Sequence, residues 1–181
     1  MLRLVLPTAI LLSASALLAQ DELFDFIPPG GRGLIEAMAT QGLNDTQLGA
    51  ALAVAQDSET WGALLASGNS GLPGDTDLDD YQRQTLADYL AYVGPQDSAA
   101  ALPQDGRDMA LARCQSCHII TVVITQDRTR EAWLGSMGKP SHIEIPLSEA
   151  ERGQLADYLV VNAGIPIDLV PPALRAGGAS Y

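Results

Sequence analysis

The chain has 181 residues, of which 47% are apolar and only 5% aromatic, and its formal net charge is −12. This length suffices for one medium domain or two small ones, and an apolar fraction rich in alanine and leucine favours helices over a β-sandwich. The acidic balance excludes a generic nucleic-acid binder, because the sequence contains nothing like a basic stripe.

The first twenty residues are typical of a secretory signal peptide. Arg3 precedes an apolar stretch from Leu4 to Leu18, and two acidic residues follow at 21 and 22. A retained anchor is the alternative, but the stretch is shorter than the ~20 apolar residues that span a bilayer. We therefore assign residues 1–20 to a signal peptide. We expect a periplasmic or otherwise exported protein that does not span the membrane after cleavage.

The next part of the chain is strongly acidic. Residues 21–101 contain thirteen Asp or Glu against two Arg, Arg32 and Arg83, which gives a net charge of −11. Residues 102–181 contain nine acidic against seven basic residues, a net charge of −2. The first half is therefore either simply well solvated or an electrostatic docking face for a partner. Arg32, in PPGGRG, is read as part of a turn rather than as an anion contact.

Two pairs of segments resemble each other in the same order. YQRQTLADYLAYVG and ERGQLADYLVVNAG, which start at Tyr81 and Glu151, share LADYL. Upstream of each, DSETWGALL and TREAWLGSM place an acidic residue shortly before the only two tryptophans, Trp61 and Trp133. Paired landmarks favour a duplication over the chance likeness of two Leu- and Ala-rich helices.

We therefore predict an all-α fold of two small helical domains in tandem. The first covers residues 21–98 and the second residues 103–170, joined by a Gly-, Pro- and Ser-containing linker near 94–106. Residues 171–181 are predicted to form an extended tail.

Three helices are predicted in the second domain. The first covers 107–114, with Asp105 as its N-cap, and the second covers 128–137 and ends at Gly138. The third begins at Ser148, whose capping box with Glu151 is legible, and runs to about residue 162. The segment GKPSHIEIP between the last two helices is predicted to be a loop.

The chemistry of the chain is concentrated in Cys114-Gln115-Ser116-Cys117-His118, which contains both cysteines and one of the two histidines. Two thiols three residues apart, followed at once by imidazole, fit covalent haem attachment. The thiols add across the two vinyl groups and the histidine binds the iron. A redox dithiol would need a βαβ context, and a structural zinc site wants four ligands from a chain that holds only four Cys and His in all. Haem is therefore the favoured reading.

These residues resemble the class I c-type cytochrome family. The likeness covers roughly residues 103–164: a short helix, the motif, a loop, and a closing helix that contains Tyr158. It implies a small helical bundle around one covalent haem c, with Cys114 and Cys117 as thioether sites and His118 as the proximal iron ligand. Cytochromes of the c′ type differ, because their motif lies close to the chain end.

The sixth iron ligand is open between two residues. In the class I family it is usually a methionine shortly before the last helix. His142 lies six residues before Ser148, a spacing similar to that of this ligand in short bacterial relatives, and it is the favoured distal ligand. Met137 is the alternative, although a methionine at the end of a helix is ordinarily a core residue.

The first half departs from the family, because residues 21–101 contain no cysteine and no histidine. We interpret it as a degenerate, haem-less cytochrome-like domain in which side chains fill the interior. Leu, Ala and Val residues at 48–55 and 63–66 are the candidates.

The expected function is single-electron transfer to or from a partner oxidoreductase, a dehydrogenase or another cytochrome, as a carrier or electron-transfer subunit rather than an enzyme. The alternative is a haem enzyme or small-ligand sensor with an open or labile sixth iron position. Four basic residues either frame the exposed haem edge or are ordinary solvated charges. They are Arg113, Arg128, Arg130 and Lys139.

Overall fold

The structure is a computed structural model that describes residues 23–54, 56–95 and 102–175. The predicted signal peptide, residues 96–101 of the predicted linker and the last six residues of the predicted tail lie outside these ranges. The described residues form helices and no strand, which confirms the all-α prediction. None of their helices combines the length and the apolar character needed to cross a membrane.

The described ranges contain nine α-helices. In chain order they are α1 Gly31–Thr40, α2 Asp45–Leu52, α3 Ser58–Ala66, α4 Asp80–Val93, α5 Gly106–Met109, α6 Thr121–Ile124, α7 Arg130–Met137, α8 Glu149–Asn162 and α9 Pro172–Arg175. Helix α5 continues directly as a π-helix, Ala110–Cys114, and two 3₁₀ turns lie at Asp75–Asp77 and Ile167–Leu169.

Local capping residues set the helix starts in the second half. Asp105 caps α5, and Ser148 forms the predicted capping box with Glu151 at the start of α8. The predicted start of the tryptophan helix at residue 128 is wrong by two positions. The Thr129 hydroxyl accepts a hydrogen bond from the Ala132 N–H, so Thr129 is the N-cap and α7 begins one residue later.

The predicted extended tail is wrong over its first part, because residues 172–175 form the helical turn α9. Proline suits the first position of a helix, where its missing N–H is not needed. The turn is tied down by two contacts. Arg175 Nε donates to the Val170 carbonyl at 2.6 Å, and Thr121 Oγ1 donates to the Leu174 carbonyl at 3.0 Å.

The core consists of two clusters of buried residues. One lies within residues 34–93 and includes Leu48, Leu52 and Leu65, as predicted for a filled interior, whereas Val54 is exposed. The other is built from α5 to α8, and Ile27 at the start of the chain also belongs to it. Since α4 and α8 pack against each other, and residue 27 joins the second cluster, the division into two tandem domains stays a prediction.

The same contacts recur in both halves around two tyrosines. A Cβ added at Gly31 would lie 2.2 Å from Tyr89 Cβ, and one added at Gly106 would lie 2.1 Å from Tyr158 Cβ. Each tyrosine hydroxyl then donates to a carbonyl of the opposite half: Tyr89 to Pro103 at 2.6 Å and Tyr158 to Pro28 at 2.7 Å. These reciprocal bonds join the halves, and close packing of each first helix requires glycine.

Asp105 caps two helices with one buried carboxylate. Its Oδ1 accepts from the Asp108 N–H of α5 at 2.9 Å, and its Oδ2 accepts from the Arg32 N–H of α1 at 2.9 Å. The second contact is possible because Gly30, the N-cap of α1, has no side chain. A Cβ there would lie 2.1 Å from the Asp105 carboxylate. The carboxylate therefore supplies the cap that Gly30 lacks.

We expect Asp105→Ala to destabilise the fold by roughly 2–4 kcal/mol, since it leaves N–H groups of two helices without acceptors. Asp79→Ala is the matched control, because Asp79 caps only α4 and lies on the surface. It should cost about 1 kcal/mol. Denaturant unfolding of both variants measures the difference, and equal losses would contradict the double cap.

Candidate functional site

One cavity, of about 230 Å³, brings together the chemistry-bearing residues of the second half. It lies between the motif, α7, the loop that follows α7, and α8. Cys114, Cys117, His118, Met137 and His142 all line it, together with an apolar wall. The structure thus gathers every predicted site residue around one space, although His118 and His142 are 24 positions apart in the sequence.

The backbone after α5 folds tightly enough to present both thiols and the imidazole on one side. The N–H groups of Cys117 and His118 both donate to the Cys114 carbonyl, at 3.3 and 3.0 Å. Cys114 is half-buried, whereas Cys117 and His118 are exposed. Because the cavity is smaller than the ~300–1,000 Å³ usual for ligand pockets, a larger bound group would extend through this exposed side.

Both thiols are free, and the Cys114 thiol does not have the electrostatics of a reactive cysteine. Burial, with a smaller contribution from the neighbouring Cys117, raises the pKa of the Cys114 thiol to about 11. Redox-active CxxC cysteines instead have lowered pKa values, because the thiolate is the nucleophile. This environment disfavours the redox-dithiol reading of the motif.

His142 is held in an orientation that suits a metal ligand. Its Nδ1 lies 3.0 Å from the Ser136 carbonyl oxygen. A carbonyl only accepts, so Nδ1 is the donor, and in the neutral imidazole Nε2 is the nitrogen with the lone pair. Ligating histidines almost always donate their other ring N–H in this way, which fixes the tautomer and raises the basicity of the ligand.

The separation of the two imidazoles also suits a shared metal ion. The ring centroids of His118 and His142 are 5.9 Å apart, and the ring planes are inclined by 48°. An imidazole nitrogen lies about 2.0 Å from a metal ion, so two imidazoles on opposite sides of one ion have centroids roughly 6 Å apart. The pair is therefore spaced for one ion between the rings.

Met137 lies on the same cavity but has a second role. It is partly buried and packs against the second core cluster, as expected for a methionine at the end of an amphipathic helix. It therefore stays the alternative ligand, without the orienting hydrogen bond that His142 has.

Two buried donors on the cavity wall are suited to an anionic group. Trp133 Nε1 and Arg113 Nε are both buried and have no hydrogen-bond partner among the described residues. Buried N–H groups are rarely left unpaired in native proteins. Haem carries two propionates, whose carboxylate oxygens are acceptors, so these donors fit the group that the motif implies.

The four basic residues predicted around the haem edge divide into two groups. Arg113, Arg128 and Lys139 line the cavity, and the Arg128 guanidinium lies 5.2 Å above the centre of the Trp133 ring. Arg130 instead pairs with Asp157 of α8. It therefore contributes to helix packing rather than to the cavity.

In the first half of the chain, a side chain of the core fills the position that corresponds to His118. If Gly31 is aligned with Gly106, the positions of Cys114, Cys117 and His118 correspond to Ala39, Gly42 and Leu43. Leu43 is only 7% exposed and belongs to the first core cluster. An aliphatic side chain thus occupies the position where the second half has its imidazole.

Comparison of the chain with protein-family models, curated proteins and solved structures gives no match. The site therefore has to be argued from its own residues.

Several residues important to the site were not singled out from the sequence. Gly106 sets the packing of the helix that leads to the cysteines, and Arg152 contacts the loop that carries His142. The repeat contains the signal for both, because a Gly-Arg pair opens the first helix of each half, and an arginine stands three residues before the first leucine of each LADYL.

Proposed function

We propose that the chain is an exported mono-haem c-type cytochrome that transfers single electrons to or from a partner oxidoreductase. The observation that supports it most directly is the position of His118 and His142. Their rings are 5.9 Å apart on the cavity that both thiols of the motif line. The sequence motif and the cavity geometry thus support the same cofactor, and the geometry adds His142 to the residues of the motif.

Each residue of the site has a role in this proposal. Cys114 and Cys117 would hold the haem by thioether bonds, and His118 and His142 would each supply an imidazole nitrogen to its iron. The haem supplies iron that changes between the ferric and ferrous states by one electron. Because two histidines of the protein would ligate the iron, no iron position would be open to a substrate, which suits a carrier rather than an enzyme.

A redox partner would reach the haem from the side of the cavity on which the motif lies. Because Cys117 and His118 are exposed, the edge of the haem nearest them would be reachable for a redox partner, a dehydrogenase or another cytochrome. The net charge of −11 over residues 21–101 would steer a partner with a basic docking face.

Replacing the cysteines one at a time tests the attachment. Cys114→Ala and Cys117→Ala, made in cells that export and mature c-type cytochromes, should each leave at most one thioether, and the double variant should retain no covalent haem. The mass of the denatured protein and its haem absorbance after acid–organic extraction measure this. Ser116→Ala, between the two cysteines, is the control and should keep the full covalent haem content.

If the double cysteine variant kept its haem through denaturation, the proposed attachment would be wrong. A high-spin iron in the wild-type protein would instead support the ligand-sensor or enzyme alternative, because it would indicate an open sixth position.

A further inference from the structure

The side chain of Arg152, on α8, contacts the loop between α7 and α8 at several points. Its guanidinium donates to five backbone carbonyls, those of Met137 at 2.7 Å, Ile145 at 2.9 Å, Leu147 at 3.2 Å, Ile143 at 3.2 Å and His142 at 3.4 Å. The five acceptors cover both ends and the middle of the loop. One planar guanidinium therefore contacts the loop from its first residues to its last.

The other hydrogen bonds of this loop are local ones between backbone groups, such as those from the His142 and Ile143 N–H groups to the Lys139 carbonyl. Residues 138–148 form turns, bends and irregular backbone; Leu147 packs partly on the second core cluster, but Ile143, directly after the histidine, is 64% exposed. The apolar contacts that order a core segment are thus scarce beside His142. Hydrogen bonds to a charged donor are stronger than neutral ones, and a planar guanidinium can serve several acceptors at once.

We propose that Arg152 is a positioning residue that holds His142 over the cavity and so keeps the sixth iron position closed. This inference rests on the proposed haem function and adds the group that enforces its distal ligand. Arg152 acts through the backbone on both sides of the histidine, while the Ser136 carbonyl sets the direction of the ring.

The repeat supplies a matched control in the first half. Arg83 stands at the equivalent place in α4, four residues after the N-cap Asp79, as Arg152 stands four residues after Ser148. Arg83 contacts one carbonyl, that of Leu78 at 2.9 Å, and the exposed carboxylate of Asp80. It holds no long loop and lies in the half that lacks cysteine and histidine.

The experiment compares Arg152→Gln with Arg83→Gln in haem-loaded protein. Carbon monoxide titration of the reduced protein, and imidazole titration of the oxidised protein, report how readily an outside ligand displaces the distal one. We expect Arg152→Gln to bind both probes at least roughly tenfold more tightly than wild type, with a larger high-spin fraction. Arg83→Gln should bind them as wild type does, within about twofold.

A conservative variant keeps the test informative if Arg152→Gln folds poorly. Arg152→Lys keeps the charge and the aliphatic stem but loses the fork that reaches several carbonyls. It should give intermediate probe affinity. Hydrogen exchange at the amides of residues 139–147 should rise in the order wild type, Lys, Gln, and should not change in Arg83→Gln.

A failure of the positioning role and a failure of the proposed function would give different results. The positioning role alone would be wrong if the wild-type protein is haem-loaded and low-spin but the Arg152 variants match it in probe affinity and in hydrogen exchange of the loop. Wild type without covalent haem would overturn the proposed function, and this inference with it.

Discussion

His142→Ala is expected to convert the haem iron from low-spin to high-spin, whereas Met137→Leu is expected to leave it low-spin. The histidine presents a lone pair at Nε2, because its Nδ1 donates to the Ser136 carbonyl, and its ring is spaced for an ion shared with His118. Leucine at 137 preserves the apolar packing of the methionine in the second core cluster. Electron paramagnetic resonance and optical spectra of the oxidised proteins measure the spin state.

The same pair of variants separates the alternatives. Two imidazoles give a lower reduction potential than histidine with methionine, so the wild-type potential should lie in the lower range for c-type cytochromes. A high-spin Met137→Leu protein beside a low-spin His142→Ala protein would reverse the ligand assignment. If both variants stayed low-spin, neither residue would be the ligand.

Gly106→Ala is expected to destabilise the protein by about 3 kcal/mol and to lower its haem content. A Cβ at this position would lie 2.1 Å from Tyr158 Cβ, and neither atom can move without shifting α5 or α8. Because α5 leads directly into the segment that carries Cys114, its displacement moves the attachment site as well. Thermal unfolding and the haem-to-protein ratio of the exported product measure the two effects.

Two further glycines provide the comparison. Gly31→Ala meets Tyr89 in the same way and should lose similar stability, but it should keep more haem, because α1 leads to no cysteine. Gly135→Ala lies within α7 with open space around the new Cβ, so it should be neutral or stabilising by up to about 1 kcal/mol. A Gly106→Ala protein as stable as Gly135→Ala would contradict the close packing of α5 on α8.

Local signals explain how much of the fold could be predicted. The helix starting at Glu149 was predicted correctly because Ser148 and Glu151 form a capping box with each other, independent of the rest of the chain. The start of α7 was missed by two residues because Thr129 was not recognised as its cap. The turn at 172–175 was missed although Pro172 is a local signal for a helix start, and its contact with Thr121 joins residues 53 positions apart.

The candidate site likewise combines features that the local sequence predicts with features that depend on the folded structure. The attachment motif is local in the sequence, and the position of His142 in the loop before the last helix is what predicts it as the distal ligand. The five contacts of Arg152 depend on how α8 packs beneath the loop, whereas the bond from His142 to the Ser136 carbonyl forms between α7 and the loop itself. Likewise, the unpaired Trp133 Nε1 is apparent only when the cavity wall is assembled. The closeness of the His142 and His118 rings also requires the folded chain, because these residues are distant in the sequence.

The most direct test of the account is the intact mass of the exported, mature protein under denaturing conditions. We predict the mass of a polypeptide that begins near residue 21, increased by one haem that does not dissociate. A polypeptide of the expected mass with no bound macrocycle, from cells that mature other c-type cytochromes normally, would contradict the account.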